Sequence, residues 1–303
     1  MMVAPKTGGL RGELCRDEPM SRHTSWRVGG PARTYYRPAD LEDLAVFLSG
    51  LPADEDVIWL GLGSNLLVRD GGIPGTVIAA FGVLGELSLL DETVLRAEAG
   101  VACAKVARFG ANHGLVGGEF LAGIPGSVGG ALAMNAGAFG GETWDYIRAV
   151  ETIDRAGIRR VRDPDEFQVG YRQVKGPAGE WFIAARFEFQ RGNTAAALER
   201  IRALLTQRGA TQPTRQPSCG SVFRNPPGDY AARLIEACGL KGSCIGAACV
   251  SDKHANFIVN TGGARAADIE ALIAHVRDEV ERVHGVSLQT EVRIVGRPGG
   301  EGR

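Results

Sequence analysis

The sequence predicts an α+β protein of two units. Three features carry that expectation: helix-period and strand-period segments follow one another, glycine is concentrated in one stretch, and a polar, proline-bearing segment separates two sets of elements. Pro38 to Leu51 reads as the first helix, with Asp40 as N-cap and Leu41, Leu44, Ala45 and Leu48 on one face. VIWLG from Val57, TVIAA from Thr76 and VLRAEAG from Val94 read as strands, bounded by glycines and acids. Ala102 to His113 is a second helix, stopped by Gly114. From Gly114 to Gly141, ten of 28 residues are glycine. Val150 to Arg162 reads as a hairpin about Asp154-Arg155-Ala156-Gly157, and Trp181, Ile183, Ala185, Phe187 and Phe189 alternate as a half-buried strand. Asn193 caps a helix to about Arg208, striped by Leu198, Ile201 and Leu205. GATQPTRQPSCGS, from Gly209, then divides residues 1–208 from 209–303. The second unit is expected to hold helices over Asp229–Cys238 and about Ala266–His284, and strands over Ala255–Asn260 and Gln289–Val295. The last strand is expected to pack back on the first region.

Composition narrows the function classes. With 303 residues, 44% apolar and 23% charged, the chain has the material for more than one packed unit and is not disordered. Lys plus Arg number 34 against 35 acids, so no overall field attracts nucleic acid or an anionic membrane. No run approaches the ~20 apolar residues of a membrane span, and the opening MMVAPKTGGLRGELCRDEP lacks the blocks of a signal peptide. The expectation is a cytoplasmic protein acting on small molecules, with no nucleic-acid partner and no membrane insertion. The six cysteines lie far apart and are expected to be reduced. Cys238, Cys244, Cys249 and His254 do not match zinc spacings, so they are expected to be small core residues and no metal is expected.

Two segments suit a dinucleotide. GLGSNLLVRD begins where a buried strand runs into Gly61 and Gly63, then Ser64, Asn65 and Leu66, and such a nest suits phosphate oxygens. In EFLAGIPGSVGGALAMNAGAFGG, Ile124, Pro125, Gly126, Ser127, Gly129 and Gly130 set amides at a helix start, with Asn135 and Gly137 beyond. Either segment alone is also what tight helix packing requires. Neither is a Rossmann or Walker sequence. Three polar positions stand against apolar or glycine-rich surroundings. Arg172, after Gly170-Tyr171, could fork onto a carboxylate or pair with Glu166. Ser221 in PSCGSVFRNP suits proton donation or turn capping, having no acyl-nucleophile context. Glu291, within the alternating strand Gln289–Val295, is by position alone a solvated face residue.

Read together, TSWRVGGPA, GLGSNLLVRD, GEFLAGIPGSVGGALAMNAGAFGGE, Gly170-Tyr171-Arg172, PSCGSVFRNP, LIEACGLKG, VSDKHANFIVN and EVRIVG resemble, in order and over nearly the whole chain, the UDP-N-acetylmuramate dehydrogenase (UDP-N-acetylenolpyruvoylglucosamine reductase) family. The resemblance implies a two-part FAD-binding region of the vanillyl-alcohol-oxidase type (1–208) and a small α+β substrate domain (209–303). It implies non-covalent FAD, NADPH as hydride donor, and reduction of UDP-N-acetylglucosamine enolpyruvate to UDP-N-acetylmuramate in peptidoglycan precursor synthesis. It makes the two glycine-rich segments the flavin pyrophosphate site and sets Arg172, Ser221 and Glu291 on catalytic positions. Tyr171, Arg224, Asn225, Lys253, His254 and Asn256 become substrate-binding candidates. Only 48 residues separate Arg172 from Ser221, which is similar to the subclass lacking a tyrosine-bearing insertion.

Overall fold

The structure, a computed structural model, describes residues 9–300. By compactness the described chain forms two units. The first takes residues up to Arg16, Thr34–Leu62 and Thr76–Gln207; the second takes Asp17–Arg33, Gly63–Gly75 and the chain from Arg208. The main break falls beside residue 208, but the second unit also takes two N-terminal segments, unlike the continuous division the sequence suggests.

In the first unit, an antiparallel five-stranded sheet runs in the order Arg159–Arg162, Ile147–Asp154, Glu180–Glu188, Val94–Glu98, Leu87–Leu89. Helix α1 (Leu41–Ser49) starts where the Asp40 carboxylate accepts the Asp43 N–H at 2.9 Å, and it buries Leu41, Leu44, Phe47 and Leu48. Helix α2 (Cys103–Asn112) ends before Gly114, whose φ of +70° suits a residue without Cβ. Helix α3 (Val128–Met134) packs its Val128, Ala131 and Leu132 into the same core as Leu95, Phe187 and Trp144. Helix α4 (Thr194–Thr211) is capped by Asn193 and buries Ala197, Ile201 and Leu204, leaving Leu198 and Leu205 on the flanks. Of the expected stripe, Ile201 faces the core; the buried face turns toward Ala197 and Leu204, so that Leu198 and Leu205 are only partly buried. The helix also continues through Gly209, so the non-helical link begins at Gln212 rather than Gly209.

In the second unit, α5 (Ala231–Ala237) and α6 (Ala266–His284) pack with the sheet Cys244–Ile245, Ala248–Val250, Ile258–Asn260. Helix α6 buries Ile269, Leu272, Ile273, Val276 and Val280 at helical spacing and ends at Gly285. Its first amides, Ala266 and Ala267, each donate to the Asp70 carboxylate at 2.9 Å. Trp26, 0% exposed, explains why Asp17–Arg33 belongs here: its ring N–H donates to the Ile258 carbonyl at 2.7 Å, and Asn260 returns a bond to the Trp26 carbonyl. The last strand is Arg293–Val295, paired parallel with Leu66–Val68; residues 289–292 instead bond to the backbone of 222–224. The expected strand from Ala255 likewise begins only at Ile258.

One cysteine expectation is overturned. Cys244 and Cys249 form a disulfide, and neither is core: Cys244 is exposed and Cys249 half-buried. Their separation along the chain misled, because a hairpin sets them directly opposite with Cα atoms 4.1 Å apart. Cys15, Cys103 and Cys219 are buried thiols outside any disulfide, and Cys238, also outside one, is half-buried. No helix among the described residues is long and apolar enough to cross a membrane.

Candidate functional site

In the first unit, strand Val57–Leu60 delivers Gly61 against Ser127 at the N-cap of α3. A Cβ on Gly61 would lie 2.3 Å from the Ser127 hydroxyl. That hydroxyl is buried and has no hydrogen-bond partner among the described residues. An unpaired buried hydroxyl costs about 1–3 kcal/mol, and a ligand oxygen would remove the penalty. The start of α3 offers fewer amides than expected. Val128 N–H donates to the Val101 carbonyl at 2.8 Å and Gly129 N–H to Ala99 at 2.9 Å. Gly129 also packs on Ala99, where an added Cβ would meet the Ala99 Cβ at 3.0 Å. Gly130 differs, for nothing stands closer than 3.8 Å to an added Cβ. Ile124 is buried and Pro125 exposed in the turn before the helix, and the Gly126 carbonyl accepts from Cys103.

Gly63 to Leu66 belong to the second unit. Gly63 has φ +63°, and a Cβ there would lie 2.1 Å from the His23 carbonyl oxygen, so chain packing alone requires glycine. The Ser64 carbonyl accepts the Cys219 thiol at 2.9 Å; burial pushes that thiol up and keeps it a neutral donor. Asn65 donates its amide to the Glu291 carbonyl at 3.2 Å and accepts the Arg293 N–H on its own carbonyl at 3.1 Å. Leu66 opens the strand paired with Arg293–Val295.

The same unit bonds the backbone of Glu291 to the turn that carries Ser221. Gly220, at φ +52°, turns the chain, and the Val222 carbonyl accepts the Glu291 N–H at 2.8 Å. Asn256 receives a different task from the substrate contact expected of it. Buried, it accepts the Phe223 N–H at 2.9 Å and donates to the Phe223 carbonyl at 2.8 Å, while its own carbonyl accepts from Val222. It is the clamp on the Ser221 turn. Asn225 spends its side-chain oxygen on the Ala231 N–H at the start of α5. Arg224 bonds by its backbone to the Gln289 carbonyl, Lys253 Nζ donates to the Gly209 carbonyl, and His254 lies edge-on to Phe257. Burial, with the Lys241 charge adding to it, lowers the His254 pKa and favours the neutral ring.

In the first unit, strands Gln168–Gly170 and Gln173–Lys175 form a hairpin with Tyr171-Arg172 at its tip. Arg172 takes φ +54°, a left-handed conformation costly for a residue with a side chain. Its guanidinium donates to the carbonyls of Asn135 at 3.2 Å and Gly137 at 3.3 Å and lies 5.0 Å from the Tyr171 ring centre. Glu166, the acid expected as an alternative partner, is engaged by Arg162 at 2.8 Å. Sequence reading missed Glu142, whose carboxylate accepts from Asn135 Nδ2 at 2.8 Å, and the tying role of Cys219. The only signal was position, Glu142 closing the glycine-rich segment and Cys219 preceding Gly220-Ser221.

Residues 32–162 match the model of an FAD binding domain, and residues 212–295 match the C-terminal domain of UDP-N-acetylenolpyruvoylglucosamine reductase. The chain is 63% identical to the UDP-N-acetylenolpyruvoylglucosamine reductase of Alkalilimnicola ehrlichii over 97% of this chain and 99% of that one. It is 62% identical to that of Methylococcus capsulatus over 94% of each. The crystal structure of the reductase from Thermus caldophilus superposes with a TM-score of 0.81 at 35% identity, covering 94% of this chain and 99% of that one. With relatives this similar along almost their full length, the chain belongs to the UDP-N-acetylenolpyruvoylglucosamine reductase family.

Proposed function

We propose that this chain is an FAD-dependent oxidoreductase that reduces UDP-N-acetylglucosamine enolpyruvate to UDP-N-acetylmuramate, with NADPH as hydride donor, in peptidoglycan precursor synthesis. The compartment proposed for this reaction is the cytoplasm. Residues 1–208 supply the flavin region and 209–303 the substrate domain, with 17–33 and 63–75 built into the latter's core. The observation that carries the cofactor reading is the buried, unpartnered Ser127 hydroxyl beside the bare backbone of Gly61 and Gly130. That pattern fits a pyrophosphate, and Ser127, Gly61 and Gly130 would hold it.

Once reduced by NADPH, a flavin held there would supply the hydride that adds to C3 of the enolpyruvyl group. Charge then moves into the substrate carboxylate, and Arg172 stabilises the resulting enediolate. The carbonyls of Asn135 and Gly137 help to orient that guanidinium. Ser221 delivers the proton to C2. Glu291 shares a proton with the carboxylate, since two bare anions side by side repel. Tyr171, Arg224, Asn225, Lys253 and His254 are proposed to contact the remainder of the nucleotide sugar.

The test is anaerobic: the yellow protein should bleach with NADPH and regain colour on adding the enolpyruvyl substrate. Bleaching without recolouring sinks the substrate assignment. Acid precipitation should leave FAD in the supernatant, and colour retained in the pellet would mean a covalent link. Arg172→Lys keeps the charge and loses the planar fork, so reoxidation by substrate should slow about 10- to 100-fold, the worth of one charge-assisted hydrogen bond. Stopped-flow absorbance should show reduction by NADPH changed by less than about twofold. Parental reoxidation would remove Arg172 from the reaction.

A further inference from the structure

The Arg172 guanidinium donates to two carbonyls of the segment that leaves α3, those of Asn135 and Gly137. The position of those carbonyls depends on Asn135, which ends the helix at φ +42° and is 2% exposed. A left-handed asparagine holds only where its surroundings over-determine it. Here its side-chain oxygen accepts the Trp144 N–H at 3.1 Å, and its amide donates to the Gly170 carbonyl at 3.4 Å and to Glu142 Oε2 at 2.8 Å. The carboxylate contact is the short, charge-assisted one. Glu142 is itself fixed, in a reciprocal pair with Asp145, and its strand Gly141–Glu142 pairs with Gly137–Ala138. The fit admits no side chain at Gly137: a Cβ there would lie 2.6 Å from the Gly141 carbonyl oxygen and 3.4 Å from Arg172 Nη1. The Asn135 carboxamide, expected to face the cofactor, is thereby engaged on both its atoms within the fold.

We propose that Glu142 is a positioning residue for the reaction: through the Asn135 carboxamide it fixes the two carbonyls that aim the Arg172 guanidinium. The proposal rests on the reading of Arg172 as the partner of the substrate carboxylate. Removing the carboxylate lets Asn135 relax and the guanidinium shift, and a misplacement near 1 Å costs about 10²-fold in rate. Glu142→Ala should therefore slow flavin reoxidation by the enolpyruvyl substrate by about 10- to 100-fold. Reduction by NADPH should change less than about twofold, and KM less than kcat. Glu142→Gln, whose amide oxygen still accepts from Asn135, should recover most of the loss. In an Arg172→Lys background, Glu142→Ala should add less than about twofold, because residues acting through one group are not additive. Equal slowing of both half-reactions, no slowing in either, or a full multiplicative loss in the Arg172→Lys background overturns the proposal while leaving Arg172 in its role. Arg172→Lys reoxidised at the parental rate would instead remove the reading of Arg172, and the proposal with it.

Discussion

Ser221→Ala should bind FAD, be reduced by NADPH at close to the parental rate, and then be reoxidised by the enolpyruvyl substrate about 10²–10⁴-fold more slowly, the range expected when a positioned proton donor is lost. The separation follows from timing, since in the proposed role the hydroxyl acts only once hydride has reached the substrate. The structure also makes the substitution clean. The turn is held by the Val222 and Phe223 amides on Asn256, by the Phe223 carbonyl on the Asn256 amide, and by Glu291 N–H on Val222. None of these bonds uses the Ser221 side chain. Stopped-flow absorbance of the flavin in each half-reaction is the measurement. If both halves slow equally, Ser221 shapes the turn; if neither slows, the proton comes from elsewhere.

Local features were legible in the sequence because they need only neighbours. Asp40 as cap of α1, Gly114 and Gly285 as helix stops, and Asn193 before α4 all stand where the chain's own chemistry sets them. What required the fold was long-range pairing. Nothing in the spacing of TSWRVGGPA says that Trp26 fills the core of the unit built mostly from the C-terminal third, 232 residues away from the carbonyl it meets. Glu291 was read as the middle of a strand because 289–295 alternates, yet its backbone amide goes to Val222 and the ladder begins at Arg293. Asn256 shows the same dependence on the fold. A polar residue in a polar motif looks available to a ligand, and only burial reveals that its carboxamide is spent on Phe223. The family resemblance points to Ser221, Arg172 and Glu291 as candidates, but it is silent on what holds them still.

Glycine is the ambiguous residue of this sequence, and Gly63 against Gly130 tests which glycines serve the fold and which the ligand. Gly63→Ala should destabilise the protein with or without FAD. Its φ of +63° costs an alanine about 1–2 kcal/mol. The new methyl would also sit 2.1 Å from the His23 carbonyl oxygen and 2.9 Å from Thr24 Cα, both backbone atoms that cannot swing aside. Overpacking of that kind adds about 1–3 kcal/mol, so the loss should be about 2–5 kcal/mol of a total near 5–15. Gly130→Ala should behave in the opposite way. It lies within α3 with nothing nearer than 3.8 Å to the added methyl, and alanine is the better helix former by up to about 1 kcal/mol. Thermal or denaturant unfolding of the apoprotein should therefore show unchanged or raised stability. FAD affinity, followed by the fluorescence of added flavin, should nevertheless weaken about tenfold or more, because the methyl occupies the space through which a pyrophosphate approaches the backbone. Parental FAD affinity in Gly130→Ala would strip the α3 segment of its ligand role, and a Gly63→Ala protein that melts like the parent would mean that the contact with His23 does not constrain this turn.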